Sequence, residues 1–167
     1  MKNNKNLRSW LKKMELKHPL VIAGPCSAES ESQVLKVAHQ LKNTDATIFR
    51  AGIWKPRTRP GNFEGVGEIG LKWLKKVKDE TGLLTATEVA NPTHVELAIK
   101  NEVDIIWIGA RSTVSPFIVQ EIAEALSGTK KVVLVNPGLI ELERMFFFAI
   151  STAKHFVKEI NAPLEEP

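Results

Sequence analysis

Cysteine is almost absent from this 167-residue chain, with Cys26 standing alone. That excludes an internal disulfide and any metal or redox motif built on a pair of cysteines, and it fits a reducing, cytoplasmic setting. The N-terminal residues 1–19 carry scattered lysines and lack an apolar run of signal-peptide or membrane-span length, so no membrane association is expected. Aromatic residues make up only 7% of the chain, and no ladder of them accompanies the basic positions. The net charge of +4 is spread over interleaved acidic and basic residues. Nucleic acid is therefore not the expected partner, and anionic small molecules are.

What is present is an ordinary globular mixture, 43% hydrophobic and 25% charged, about one domain in length. Five short apolar, β-branched runs read as buried strands: Leu20 to Ala23, Thr47 to Phe49, Leu83 to Ala86, Asp104 to Ile108 and Lys131 to Val135. Helical patterns fill the gaps. Ser30 and Gln33 have capping-box spacing ahead of Val34, Val37, Ala38 and Leu41, and Leu71, Leu74 and Val77 repeat the stripe before Gly82. Asn91-Pro92 and Ser115-Pro116 each set a cap residue before a first-turn proline.

The alternation of strand and helix calls for parallel strands with crossover helices, an α/β fold. The spacing suits a (β/α)8 barrel and a doubly wound sheet equally, and both place function at the carboxyl ends of the strands. After the fifth run the character changes. Leu142, Met145, Phe146, Ala149, Ala153, Phe156, Val157 and Ile160 form a stripe at helical spacing, which predicts one long amphipathic helix and no further strand. The expected organisation is thus about five βα units in residues 1–137 and a C-terminal helix in 138–167, spliced from elsewhere in one reading. Phe147, Phe148 and Ile150 widen the apolar surface beyond one stripe, and the Phe146 to Phe148 cluster predicts association of the chain with copies of itself.

The strand ends carry the chemistry. They are Gly24-Pro25-Cys26-Ser27, Arg50 through Thr58, Thr87-Glu88 and Gly109-Ala110-Arg111-Ser112. If the strands are parallel, Arg50, Lys55, Arg57 and Arg111 gather on one rim with a thiol and a carboxylate. Singly, such cations are solvated loop charges, a lone cysteine is a small buried apolar residue, and Glu88 is a salt-bridge partner. Together they suit a phosphate and a carboxylate, which guanidinium groups bind bidentately.

These segments resemble those of a known family. Val-Ile-Ala-Gly-Pro-Cys-Ser-Ala-Glu-Ser from Val21, Phe-Arg-Ala-Gly-Ile-Trp-Lys-Pro-Arg-Thr-Arg-Pro from Phe49, Thr87-Glu88 and Trp-Ile-Gly-Ala-Arg from Trp107 are similar to type I 3-deoxy-7-phosphoheptulonate (DAHP) synthases. The subgroup is the one close to 3-deoxy-octulosonate 8-phosphate synthases, whose own branch lacks the Lys-Pro-Arg-Thr segment. The resemblance implies a TIM-barrel fold and a cytoplasmic transferase at the first step of the shikimate pathway to aromatic amino acids. It implies a divalent metal that polarises the aldehyde of erythrose 4-phosphate while C3 of phosphoenolpyruvate attacks it. By position, Cys26 matches a metal ligand, and Arg50, Lys55 and Arg111 match residues that hold phosphoenolpyruvate, Lys55 being the catalytic candidate. Arg57 and Thr58 match the erythrose phosphate clamp, and Glu88 and Ala110 sit where the family lines the phosphoenolpyruvate site.

The resemblance also has gaps. Val135 stands before Asn136-Pro137 where the family has a lysine, and the family's later His-Arg-Gly-Phe and Asp-Pro-Ser-His segments and remaining metal ligands do not follow. The expectation is a sequence truncated after the fifth strand, with a join near Val135 to Gly138. That keeps two further readings open: an inactive remnant that binds phosphorylated metabolites or serves as an assembly partner, and an octulosonate phosphate synthase.

Overall fold

A computed structural model describes residues 21–55, 61–129, 131–135 and 148–150. The strands are β1 (Val21–Ala23), β2 (Ala46–Arg50), β3 (Leu84–Val89), β4 (Ile105–Ile108), β5 (Val132–Val135) and β6 (Phe148–Ile150). The helices are α1 (Glu31–Leu41), α2 (Ile69–Thr81), α3 (Pro92–Lys100), α4 (Ala110–Thr113) and α5 (Pro116–Ala125). The expected caps account for the helix starts. The Ser30 hydroxyl accepts the Gln33 N–H at 3.2 Å, although the Gln33 side chain bonds the Glu29 N–H at 2.9 Å rather than closing a box on Ser30 itself. Asn91 accepts the His94 N–H at 2.8 Å, with Pro92 in the first turn. Ser115 sits in the cap position of α5 without a side-chain cap bond.

The five strands β1 to β5 lie side by side in sequence order, all parallel. This order has no switch point, which a doubly wound sheet requires. The core confirms the barrel-type winding. Buried residues of α1, α2, α3 and α5 join one cluster with Phe49, Val89, Ile106, Ile108, Val133 and Val135, one face of the sheet. The opposite face holds a strand-only cluster of Ile48, Ala86, Ile105 and Leu134, with Ile22, Leu84 and Trp107 against it. Helices outside and strand side chains inside are the layers of a (β/α)8 barrel, here a curled half-barrel.

The C-terminal expectation needs correcting. Phe148–Ile150, inside the stretch expected to be one long helix, form β6, which pairs antiparallel with β5. A helical stripe is a local signal, and an open strand edge offers backbone partners that local periodicity does not register. The rest of residues 138–167, the Phe146 and Phe147 side chains and the proposed join near Val135 to Gly138 lie outside the described residues, Val135 apart.

At the N-terminal edge of the sheet, Asp104 ties three elements together. One carboxylate oxygen accepts the Thr85 N–H at 2.9 Å and the Thr85 hydroxyl at 3.2 Å, and the other accepts the Lys78 ammonium at 2.7 Å. Removing it strands a partly buried donor in β3. Asp104→Ala should lower stability in urea by about 1–3 kcal/mol while leaving anion affinity at the opposite edge unchanged.

Candidate functional site

Parallel pairing carries the C-terminal ends of β1 to β4 to one edge, and the period of two decides which side chains turn inward there. In β2, Ile48 belongs to the inner cluster, so Arg50 shares its face. In β3 the inner face runs Leu84, Ala86, Glu88, and in β4 it runs Ile105, Trp107. Glu88 pairs directly with Trp107 across the β3–β4 ladder. Arg50, Glu88 and Trp107 therefore share the inner face near the C-terminal ends of their strands, Arg50 level with Ala86 and Glu88 level with Trp107. The Arg50 guanidinium lies 5.0 Å above the centre of the Trp107 ring, a cation–π contact that gives the cation a seat without neutralising it.

The loops add further polar groups at this edge. Lys55 leaves the β2 loop so that its ammonium donates to Cys26 Sγ at 3.3 Å. It folds closely over Gly52, where a Cβ would sit 2.6 Å from Lys55 Nζ and 2.5 Å from the Cys26 carbonyl oxygen. Gly109 plays the same part on the other side, since a Cβ there would come within 1.9 Å of a Glu88 carboxylate oxygen. Only glycine leaves that carboxylate room beside the start of α4. Ser27, next to Cys26, has a buried hydroxyl with no hydrogen-bond partner among the described residues.

Electrostatics bind these groups into one site. The hydrogen bond from Lys55 holds the Cys26 thiol below its ordinary range, aided by the charges of Lys55 and Arg50 and opposed by burial. Burial pushes the Glu88 carboxyl up, while the charges of Lys55, Arg111 and Arg50 pull it down by less. Lys55 thus meets Cys26 directly, Arg50 and Glu88 lie on one face of adjacent strands, and the charges of Lys55, Arg111 and Arg50 all act on Glu88. Ala110 and Arg111 open the short helix α4, which is too brief to leave a periodic signal. Arg57 and Thr58 lie outside the described residues. The strand-end segments do not single out Trp107. Its place two residues beyond Ile105 on a period-two face was the available signal.

The metal expectation finds little support in this donor set. Among the described residues no three His, Cys, Asp or Glu side chains gather as a metal site. Cys26 is a single soft donor with an ammonium against it. The described residues thus do not by themselves fit a divalent metal, and no step below runs through one.

The Glu88 shift has a measurable consequence. Its pKa lies above the ordinary carboxylate value in the folded protein, so the folded state binds this proton more tightly than the unfolded state does. Ionising Glu88 costs stability as pH rises from the ordinary carboxylate range through that raised pKa. Lowering pH into the same window removes a negative charge from the rim. Sulfate, which keeps its double charge there, should bind about three- to tenfold more tightly as pH falls through the window. Glu88→Gln should bind it tightly throughout and lose the dependence. Titrations by calorimetry at constant ionic strength would read this directly.

The family model described as "DAHP synthetase I family" matches residues 15–162. The phospho-2-dehydro-3-deoxyheptonate aldolase of Thermotoga maritima is 30% identical over 149 residues, 74% of this chain and 44% of that protein. A 2-dehydro-3-deoxyphosphooctonate aldolase of Campylobacter jejuni is 36% identical over 102 residues, 57% of this chain and 37% of that protein. The crystal structure of the Thermotoga maritima DAHP synthase superposes with a TM-score of 0.58 at 31% identity, covering 70% of this chain and 32% of that one. The chain spans less than half the length of these relatives. By the extent of the family match and the identity to the Thermotoga protein, the chain belongs to the DAHP synthetase I family.

Proposed function

We propose that the cationic edge binds phosphoenolpyruvate, and that the protein is a 3-deoxy-7-phosphoheptulonate synthase condensing it with erythrose 4-phosphate. The observation that carries this reading is that Arg50, Lys55 and Arg111 all follow or end parallel strands at one edge of the sheet, with the charges of all three acting on Glu88. Phosphoenolpyruvate carries a phosphate and a carboxylate on adjoining atoms, and two guanidinium groups together with an ammonium match that pair of anions.

In the proposed reaction, C3 of phosphoenolpyruvate forms a bond to the aldehyde carbon of the sugar, whose carbonyl oxygen takes up a proton. Water adds at C2, and the C2–O bond to phosphate then breaks to release inorganic phosphate. Lys55 is the catalytic candidate because its ammonium can neutralise and protonate the oxygen that gains charge in the first step. Arg50 and Arg111 hold the reactant in register, and Arg57 and Thr58 are assigned to the sugar phosphate. The proposed setting is the cytoplasm, and no helix among the described residues is long and apolar enough to cross a membrane. Self-association through the Phe146 to Phe148 segment belongs to the same proposal, and sedimentation at micromolar concentration tests it.

The competing substrate is arabinose 5-phosphate, the longer sugar, and the Campylobacter relative keeps that reading in play. Lys55 to Thr58 favours erythrose 4-phosphate. Phosphate release should be measured with each sugar in turn, with divalent metal supplied. Faster turnover with the four-carbon sugar is expected, and preference for the pentose would overturn the choice. Steady release that needs both substrates would exclude a binding remnant.

A further inference from the structure

The loop after β2 has to deliver Lys55 to the edge of the sheet, and backbone bonds hold that loop at two points. The Lys55 N–H donates to the Glu64 carbonyl at 2.8 Å, and the Gly67 N–H donates to the Ile53 carbonyl at 2.9 Å. Both bonds tie the end of the β2 loop to the approach to α2. The first bond uses the N–H of the Trp54–Lys55 peptide and so sets that peptide's orientation. The Trp54 side chain is held separately, by a side chain from another element. The Trp54 indole is buried and lies flat on the His94 imidazole, with centroids 4.0 Å apart and planes within 5°.

His94 is itself fixed. It sits in the first turn of α3, where its N–H donates to the Asn91 cap at 2.8 Å and its Nδ1 accepts the Ala90 N–H at 3.3 Å. An acceptor at Nδ1 places the ring proton of the neutral imidazole on Nε2. Burial favours that neutral form. The ring therefore offers the indole one flat seat at one angle. The residue after that indole is Lys55, whose ammonium reaches Cys26 Sγ at 3.3 Å.

We infer that His94 is a positioning residue for Lys55: by stacking on Trp54 it fixes the loop so that the ammonium is held against Cys26 and beside Glu88. The inference deepens the function proposed above, resting on it for the claim that Lys55 meets a ligand. The stack itself does not depend on that claim. Two variants separate the ring from the hydrogen bond. His94→Phe keeps a flat ring and loses the Nδ1 acceptor, whereas His94→Asn keeps an acceptor and loses the ring.

The reporter is Cys26, exposed and the sole cysteine of the chain. Thiolate is its reactive form, so the rate of alkylation by iodoacetamide at neutral pH reads whether the ammonium stays against the sulfur. Lys55→Met should slow alkylation by about tenfold. His94→Asn should slow it to a similar level, His94→Phe should stay within about twofold of the wild type, and His94→Asn should add nothing in the Lys55→Met background. Trp54→Leu, which removes the other ring and keeps an apolar group in its place, should act as His94→Asn does, and serves if that variant fails to fold. Phosphoenolpyruvate affinity by calorimetry should fall about three- to tenfold with the same variants. If a His94→Asn or Trp54→Leu protein with native circular dichroism is alkylated at the wild-type rate, or if His94→Phe behaves as His94→Asn, the positioning role is wrong. If the alkylation pattern holds and the wild type does not bind phosphoenolpyruvate, the functional reading falls while the positioning role stands.

Discussion

Arg50→Ala should weaken phosphoenolpyruvate binding by about ten- to a hundredfold, because a charge-assisted hydrogen bond at a partly desolvated site contributes about 1.5–3 kcal/mol. Arg50 stands at the centre of the arrangement. It shares the inner face with Glu88, adds its charge to that of Lys55 on Cys26, and rests on Trp107. Losing it takes away a bidentate partner for the ligand and also one of the charges that hold the Glu88 carboxyl down. The Glu88 pKa should move further up in the variant, shifting the pH dependence of sulfate binding to higher pH. Arg50→Lys keeps the charge without the planar fork, so it should recover only part of the affinity. Calorimetry with phosphoenolpyruvate on the three proteins checks the order wild type, Lys, Ala. Equal binding by all three would remove Arg50 from the site.

The largest effect on stability should come from the neighbour of Arg50 on the opposite face. Phe49 is fully buried in the cluster that joins the sheet to the helices. Phe49→Ala should cost about 3–5 kcal/mol through lost transfer energy and the cavity left behind. That is a large share of the 5–15 kcal/mol that typically holds a domain together. Phe117 supplies the control, being 81% exposed in the first turn of α5. Phe117→Ala should change stability by no more than about 0.5 kcal/mol. Urea unfolding of both variants separates them, and similar midpoints would contradict the assignment of inner and outer faces. Because Phe49 also anchors the strand that presents Arg50, its loss should weaken anion binding even where the variant remains folded.

These two adjacent residues illustrate what local sequence can and cannot disclose. Strand β2 was legible as a β-branched apolar run, and the cations after it were legible as a strand-end cluster. The choice between a barrel and a doubly wound sheet was not, because both share the same alternation of elements. What separates them is the face on which the helices pack, a non-local fact that emerges when Phe49, Val89 and Ile106 join the helix cluster and Ile48, Ala86 and Ile105 do not.

The caps at Ser30 and Asn91 were readable because a cap bond spans three residues. The stack of Trp54 on His94 joins residues forty apart, and neither residue type announces it. Strand β6 shows the opposite case, a periodic local signal overruled by pairing with β5. The clamp assigned to Arg57 and Thr58, which lies outside the described residues, rests on resemblance alone.

The central claim is that the C-terminal edge of these strands is a site for a molecule bearing both phosphate and carboxylate. Calorimetric titration of the folded chain with phosphoenolpyruvate tests it most directly, with Arg111→Ala and Asp104→Ala alongside. The account predicts one ligand per chain, affinity reduced about ten- to a hundredfold by Arg111→Ala, and affinity unchanged by Asp104→Ala at the far edge of the sheet. No binding by the wild type at millimolar ligand, with native circular dichroism, would contradict it, as would equal binding by the wild type and Arg111→Ala.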